Sequence, residues 1–79
     1  MAFTAEEVMN LYEESKHMEY EKDIQKNEKN GEIKESDATD YLIILDILRD
    51  GNKKSALRSF TNMDTFARDQ FLELLQGKM

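Results

Sequence analysis

The chain has 79 residues, no cysteine or proline, 35% charged residues and a net charge of −6 at pH 7. A core of this size leaves only about 3–5 kcal/mol of net stability. The absence of cysteine excludes disulfides and thiolate metal sites, and three glycines without proline are too few for a loop-rich or all-β chain. No apolar run approaches the ~18 residues of a membrane span, and the acidic N-terminus is unlike a signal peptide. We therefore expect one helical domain over residues 1–79, cytoplasmic and without membrane contact.

The negative charge is concentrated in the first half of the chain. Residues 1–35 carry ten acidic residues and five lysines, whereas residues 36–79 carry seven acidic and six basic residues. An acidic half repels nucleic acid and favours a protein partner with a basic surface. The alternative is a helix that is charged only for solubility, since most charge-rich helices are simply solvated.

A first helix is predicted over about residues 5–30. Thr4 and Glu7 have the spacing of a capping box, in which each side chain accepts a backbone hydrogen bond at the helix start. Phe3 and Val8 are placed to form a hydrophobic staple across that cap. An Asn-Gly pair closes the segment, because glycine readily adopts the left-handed conformation that ends helices.

Only the first half of this helix has a core-facing side. Its apolar stripe ends at Met18, and lysines then take the same angular positions. Tyr20 and Ile24 point away from those lysines, near His17 and among glutamates. The acidic second half is therefore expected to project from the core.

Three further helices are expected in a compact core at about residues 36–76. Ser36 or Asp37 starts the second helix as an N-cap, and Thr61 and Asp64 have the spacing of a second capping box. Short joints make sequential helices antiparallel neighbours. The pattern predicts an all-α fold, a small helical bundle of three main helices plus one short helix, with these three helices at about 36–50, 53–60 and 62–76.

The predicted core combines the apolar faces of these helices with the start of the first one. The central helix is apolar on two sides, which is typical of a helix in the middle of a bundle. Met18 and Met63 are interpreted as core fillers, whereas Met9 lies off the stripe. The expected core is Leu11, Tyr12, Tyr41, Leu42, Ile44, Leu45, Leu48, Leu57, Phe60, Phe66, Phe71, Leu74 and Leu75.

The sequence predicts neither an enzyme nor a cofactor. A nucleophile needs a base beside it, and the one histidine, His17, is expected on a polar, exposed helix. The three glycines are isolated and form no phosphate-binding loop. We therefore expect no catalytic and no cofactor-binding residues.

The nearest approach to a metal motif is Glu13, His17 and Glu21, which are spaced four apart on one helix face. Helical di-iron sites use two Glu-x-x-His motifs with further glutamates, and a second histidine does not exist here. A solvated face stabilised by pairs four residues apart explains the spacing better. The sequence therefore predicts no metal site.

A basic cluster lies where the second helix meets the third. This basic joint comprises Arg49, Asn52, Lys53, Lys54 and Arg58. A helix-turn-helix regulator places groove-reading side chains at the start of its recognition helix, so DNA-binding transcriptional regulation is the alternative function. The acidic net charge disfavours nucleic acid, because DNA-binding domains normally have a basic balance.

Ile43 and Ile47 lie on the second apolar side of the central helix, between aspartates. Apolar residues four apart in such surroundings indicate a buried contact. The first helix is one candidate for covering them. If it does not, a symmetric homodimer would use the same patch on both chains.

The leading hypothesis is a non-enzymatic protein-binding module, an inhibitor or adaptor that docks on a basic surface such as one that normally holds nucleic acid. Exposed apolar side chains among glutamates are typical of interface anchors. No motif identifies a family, but this short acidic helical chain without catalytic residues is similar to small bacterial or phage proteins that bind and block a larger protein. The predicted interface, the outer face of the first helix, comprises Glu13, His17, Tyr20, Glu21, Ile24 and Glu28.

Overall fold

The chain is all-α over residues 4–79, the part that this computed structural model describes apart from the side chain of Ala5. The predicted all-α class is confirmed. None of the described helices combines the length and apolar character that a membrane crossing needs. The α-helices are α1 Ala5–Leu11, α2 His17–Lys29, α3 Glu35–Arg49, α4 Lys53–Asn62 and α5 Thr65–Leu75.

One cluster of buried apolar residues joins all five helices. α1 packs against α4, and α3 also packs along α4. α2 lies against both α3 and α5. The N-terminal helices therefore close the bundle over α3, α4 and α5.

The predicted start of the first helix is confirmed. The backbone N–H of Glu7 donates to the Thr4 hydroxyl at 3.1 Å, and the Thr4 N–H donates to the Glu7 carboxylate at 3.4 Å. This reciprocal box satisfies two of the free N–H groups at the helix start. The predicted staple cannot be followed here, because Phe3 lies outside the described residues.

The predicted continuous helix over 5–30 is wrong, because the chain breaks between α1 and α2. Tyr12 and Glu13 are extended, with ψ angles of 130° and 119°, and a single 3-10 turn leads into α2. In one continuous helix, Val8 would face roughly 140° away from the stripe formed by Tyr20 and Ile24. The break resets the helical phase, so that both sets of side chains enter one core.

The projection of the acidic second half is also wrong. α2 packs against the bundle, and its buried side chains are His17, Tyr20 and Ile24, the last of them fully buried. The lysines of α2 face solvent instead. The stripe at spacing i, i+3 and i+7 therefore marks the core side of α2, which reverses the predicted orientation.

The predicted glycine stops agree with the structure better than the predicted helix starts do. Gly31, Gly51 and Gly77 end α2, α3 and α5 with positive φ angles, as expected. The predicted box of Thr61 and Asp64 is wrong: Thr61 lies inside α4, and Asp64 is itself the N-cap of α5. Its carboxylate accepts from the N–H of Ala67 at 2.8 Å, so one residue supplies the cap alone.

Most of the predicted core is confirmed, with exceptions in α1, α2 and α5. Phe66 and Met18 are 62% and 69% exposed, although both were expected inside. Met9 is buried, although it was expected off the stripe. Leu11, Tyr12, Leu42 and Leu57 are partly buried against the core. The predicted residues that are buried are Tyr41, Ile44, Leu45, Leu48, Phe60, Phe71, Leu74 and Leu75.

A buried hydrogen-bond relay ties α3 to α5 and to the loop after α2. The Tyr41 hydroxyl donates to Gln70 Oε1 at 2.7 Å and lies 3.2 Å from the Ala67 carbonyl. Gln70 Nε2 donates in turn to the carbonyl of Glu32 at 2.9 Å. Burial is the main cause that raises the pKa of Tyr41, and the carboxylates of nearby aspartates raise it further.

This raised pKa predicts a loss of stability in alkaline solution. Above about pH 10 the unfolded chain releases the tyrosine proton while folded Tyr41 keeps it. The unfolded state then binds fewer protons, so the free energy of unfolding falls as pH rises, by about 1.4 kcal/mol per pH unit for one such group. The free energy of unfolding, measured by urea unfolding between about pH 9 and 11, should fall less steeply with pH for Tyr41→Phe than for the wild type. Equal slopes would contradict this assignment.

Candidate docking groove

The structure separates the six residues of the predicted outer face. His17, Tyr20 and Ile24 are buried, whereas Glu13 is exposed and Glu21 and Glu28 are half-buried. The apolar anchors on which that surface depended therefore belong to the core. What remains at the surface is an acidic margin without apolar anchors from this set.

Three side chains around the α1–α2 break explain why these residues turn inward. The Tyr12 hydroxyl lies 2.8 Å from His17 Nδ1, and the Tyr12 and Tyr20 ring centroids are 5.8 Å apart. The backbone N–H of Glu13 donates to the Tyr20 hydroxyl at 3.3 Å. Burial raises the pKa values of Tyr12 and Tyr20, so both hydroxyls keep their protons to a higher pH than an exposed tyrosine does.

A groove of about 500 Å³ lies on the other side of α3, between α3, α4 and α5. It forms where the first half of α3 faces the end of α4 and the start of α5. We call this feature the docking groove. It is lined by Asp37, Asp40, Ile43, Ile44, Ser59, Asn62, Met63, Asp64 and Ala67.

The floor of the docking groove is apolar. Ile44 and Ala67 are buried, Met63 is half-buried, and Ile43 is 51% exposed. Phe66, next to Ala67 in the chain, is 62% exposed. A large aliphatic side chain that stays half exposed beside buried ones is where a partner's apolar group would gain contact area.

Three carboxylates accompany this apolar floor, on Asp37, Asp40 and Asp64. Their negative charges also reach Tyr41, where all three raise the pKa of the buried hydroxyl. The carboxylates therefore act on one region of the structure rather than on separate surfaces. Among the described residues that line the docking groove, none is cationic.

The two isoleucines that suggested a dimer have different environments. Ile47 is partly buried and packs against the core, whereas Ile43 opens into the docking groove. Only Ile43 is thus available as a dimer contact. The symmetric dimer stays a prediction, now without its second anchor.

The basic joint lies at the turn between α3 and α4. Arg49, Lys53, Lys54 and Arg58 are exposed. The Asn52 side chain is engaged as the N-cap of α4, where its oxygen accepts from the Ser55 N–H at 3.2 Å. Arg49 lies 3.6 Å from the Asp46 carboxylate, which offsets part of the local positive charge. The basic joint therefore exposes cationic side chains, but the Asn52 side chain is occupied as an N-cap and is not free to contact bases.

Sequence reasoning found Ile43 but missed the rest of the docking groove. Asp37, Asp40 and Ile43 follow each other at intervals of three on α3, a signal that they share a helix face. Met63 and Asp64 come from the joint between α4 and α5, and their meeting with α3 depends on tertiary packing. A single helix pattern therefore could not show the concave shape.

Comparisons with known proteins add no assignment. No protein-family model matches the chain, and comparisons with curated proteins and with solved structures give no match either. The function therefore has to be argued from the residues and their geometry.

Proposed function

We propose that the protein is a non-enzymatic binding module, an inhibitor or adaptor, that docks on a basic segment of a larger protein. The observation that carries this proposal is the docking groove, with an apolar floor and three carboxylates. Its occupant is an amphipathic segment that inserts an apolar side chain beside Ile43 and presents lysine or arginine to the aspartates. This places the contact on α3, α4 and α5 rather than on the outer face of the first helix.

Charge complementarity supports a basic occupant. The chain carries a net charge of −6, and Asp37, Asp40 and Asp64 add a local negative field where the apolar floor opens. Such a field steers cationic partners during encounter and makes their association sensitive to salt. A second copy of this chain would bring the same three aspartates, and like charges facing each other oppose docking.

A protein segment suits the docking groove better than a small metabolite. Sites for small ligands enclose them among a few convergent, well-placed polar groups. Here Asp40 and Asp64 are exposed and Asp37 is half-buried, so the charges stand at the surface. This arrangement resembles the apolar centre and polar rim of a protein interface.

The proposal is tested with a synthetic helical peptide that carries leucines on one face and lysines and arginines beside them. Fluorescence anisotropy should detect binding at low salt that weakens as salt rises. A matched peptide with glutamates in place of the basic residues should not bind. The double variant Asp37→Asn, Asp40→Asn should lower the affinity several-fold, mainly through slower association.

The matched control is Asp69→Asn with Glu73→Gln, which changes the net charge equally on exposed residues of α5 outside the docking groove. Affinity should then stay close to that of the wild type. Equal losses in both double variants would reduce the effect to net charge and contradict a defined site. Binding of duplex DNA that is lost on Lys54→Ala with Arg58→Ala would favour the regulator instead.

Ile43→Ser tests the apolar half of the same claim. Loss of an interface anchor typically costs 1 kcal/mol or more, about fivefold in affinity. Stability should change little, because Ile43 is half exposed. Sedimentation equilibrium of the wild type and of this variant distinguishes self-association. A dimer that Ile43→Ser dissociates, with unchanged affinity for the peptide, would assign Ile43 to the dimer and contradict the docking role.

A further inference from the structure

His17 is buried next to two carboxylates, on Glu21 and Asp46. It is the first residue of α2 and is only 4% exposed. Its ring nitrogen Nε2 lies 3.5 Å from Glu21 Oε1, one turn further along α2, and 3.5 Å from Asp46 Oδ1 on α3. The site therefore spans the contact between α2 and α3.

The Nε2 atom is buried and has no hydrogen-bond partner among the residues that the structure describes. Both carboxylate contacts are within the range of an ion pair but lack hydrogen-bond geometry, since N–H···O bonds typically measure 2.7–3.2 Å. Buried polar atoms are nearly always paired, so an unpaired one calls for an explanation. A group between Nε2 and the two oxygens would supply the missing partner.

The other ring nitrogen is held by Tyr12, whose hydroxyl lies 2.8 Å from Nδ1. A metal on Nε2 requires the tautomer in which Nδ1 carries the proton and donates to the tyrosine oxygen, which leaves the Nε2 lone pair facing the carboxylates. Histidines that bind metals are oriented in this way by a hydrogen bond on the second nitrogen.

We propose that His17 Nε2, Glu21 Oε1 and Asp46 Oδ1 bind one Zn²⁺ ion. A tetrahedral zinc with bonds of about 2.1 Å holds its ligand atoms about 3.4 Å apart. Both separations from Nε2 are 3.5 Å, and the three ligand atoms lie within 4.8 Å of one another. An imidazole among the ligands selects zinc over magnesium or calcium, which prefer oxygen alone.

The site differs from the metal motif that the sequence suggested. Glu13, His17 and Glu21 were aligned on one helix, but the break after α1 places Glu13 outside the group. Asp46 of α3 takes its place. Three protein ligands leave the fourth position to water. The ion would fasten α2 to α3, and Arg49, 3.6 Å from the same Asp46 oxygen, is the cation that competes with it.

Isothermal titration of ZnCl₂ into the full chain, prepared without a histidine tag, tests the proposal. We expect saturable binding of one Zn²⁺ per chain and a higher melting temperature with Zn²⁺. Glu21→Gln and Asp46→Asn should each weaken binding at least ~10-fold, because each removes one anionic ligand. Arg49→Gln should strengthen it by removing the competing cation. Imidazole ¹⁵N shifts should show that Nε2, not Nδ1, changes on binding.

The controls are Glu13→Gln and Asp50→Asn, which remove one negative charge each without removing a ligand. Zn²⁺ affinity should be retained in both. No saturable binding in the wild type, or equal affinity in Asp46→Asn, would overturn the proposal. A proton that stays on Nε2 in saturating Zn²⁺ would also overturn it, and would assign the space between the carboxylates to the Nε2–H group.

Discussion

Ile24→Ala is expected to unfold a large share of the protein at 25 °C. Ile24 is fully buried in the single core that α2 shares with the rest of the bundle. Truncating a buried isoleucine to alanine costs about 2–5 kcal/mol. A chain of this length has a total of only about 3–5 kcal/mol of stability to lose. Far-ultraviolet circular dichroism and urea unfolding of this variant measure the effect.

Met18→Ala is the matched control in the same helix. Met18 is 69% exposed, so its truncation should leave the free energy of unfolding within about 0.5 kcal/mol of the wild type. The pair separates the two orientations of α2, because the sequence alone placed Met18 inside and Ile24 outside. A stable Ile24→Ala together with a destabilised Met18→Ala would support the orientation predicted from the sequence and contradict the packing of α2 described above.

Phe71→Ala should be at least as damaging, at about 3–5 kcal/mol. Phe71 is fully buried in α5, with its ring centroid 5.5 Å from that of Tyr41 and 6.2 Å from that of Phe60. Its removal leaves a cavity where α3, α4 and α5 meet and loses both aromatic contacts. Thermal unfolding should shift to much lower temperature, or lose its cooperative transition altogether.

Phe66→Ala is the control with the same chemistry on the same helix. Phe66 is 62% exposed, so the identical substitution should hardly change stability. Because Phe66 is adjacent to the docking groove in sequence, any effect of Phe66→Ala should appear in affinity for the basic peptide instead. Similar melting temperatures for the two phenylalanine variants would contradict the packing of α5.

The local signals of the chain predicted helix ends well where a single residue or a short-range pair decides them. Gly31, Gly51 and Gly77 have the positive φ that ends helices, and the box of Thr4 with Glu7 forms as expected. These signals act within one turn and need no tertiary contact. The predicted start of α5 is wrong, because Thr61 lies inside α4, where its hydroxyl donates to the Leu57 carbonyl.

The orientation of α2 could not be read correctly under the assumption of one long helix. Two stripes were present, one containing Val8 and one formed by His17, Tyr20 and Ile24, and a continuous helix can bury only one of them well. The break that reconciles them is held by contacts of Tyr12 with His17 and Tyr20. Those contacts join residues five and eight positions apart across the break, and a separation of five is not the spacing of one helical stripe.

The candidate sites were hardest to predict because each joins residues from separate helices. Asp46 lies 29 positions after His17, and Asp64 lies 21 positions after Ile43. Periodicity within one helix shows a face but not the element packed against it. The residue types were visible in the sequence, whereas their convergence follows from the packing of α2 and α5 against α3.

The most direct test of the docking groove is an amide chemical-shift titration of the ¹⁵N-labelled protein with the basic helical peptide. We expect the changes to concentrate on residues of the docking groove, above all Ile43, Ile44, Met63 and Ala67, and to saturate at one peptide per chain. The glutamate-substituted peptide should produce none of them. Changes confined to the acidic margin of Glu13, Glu21 and Glu28, with the docking groove unaffected, would contradict binding in the docking groove.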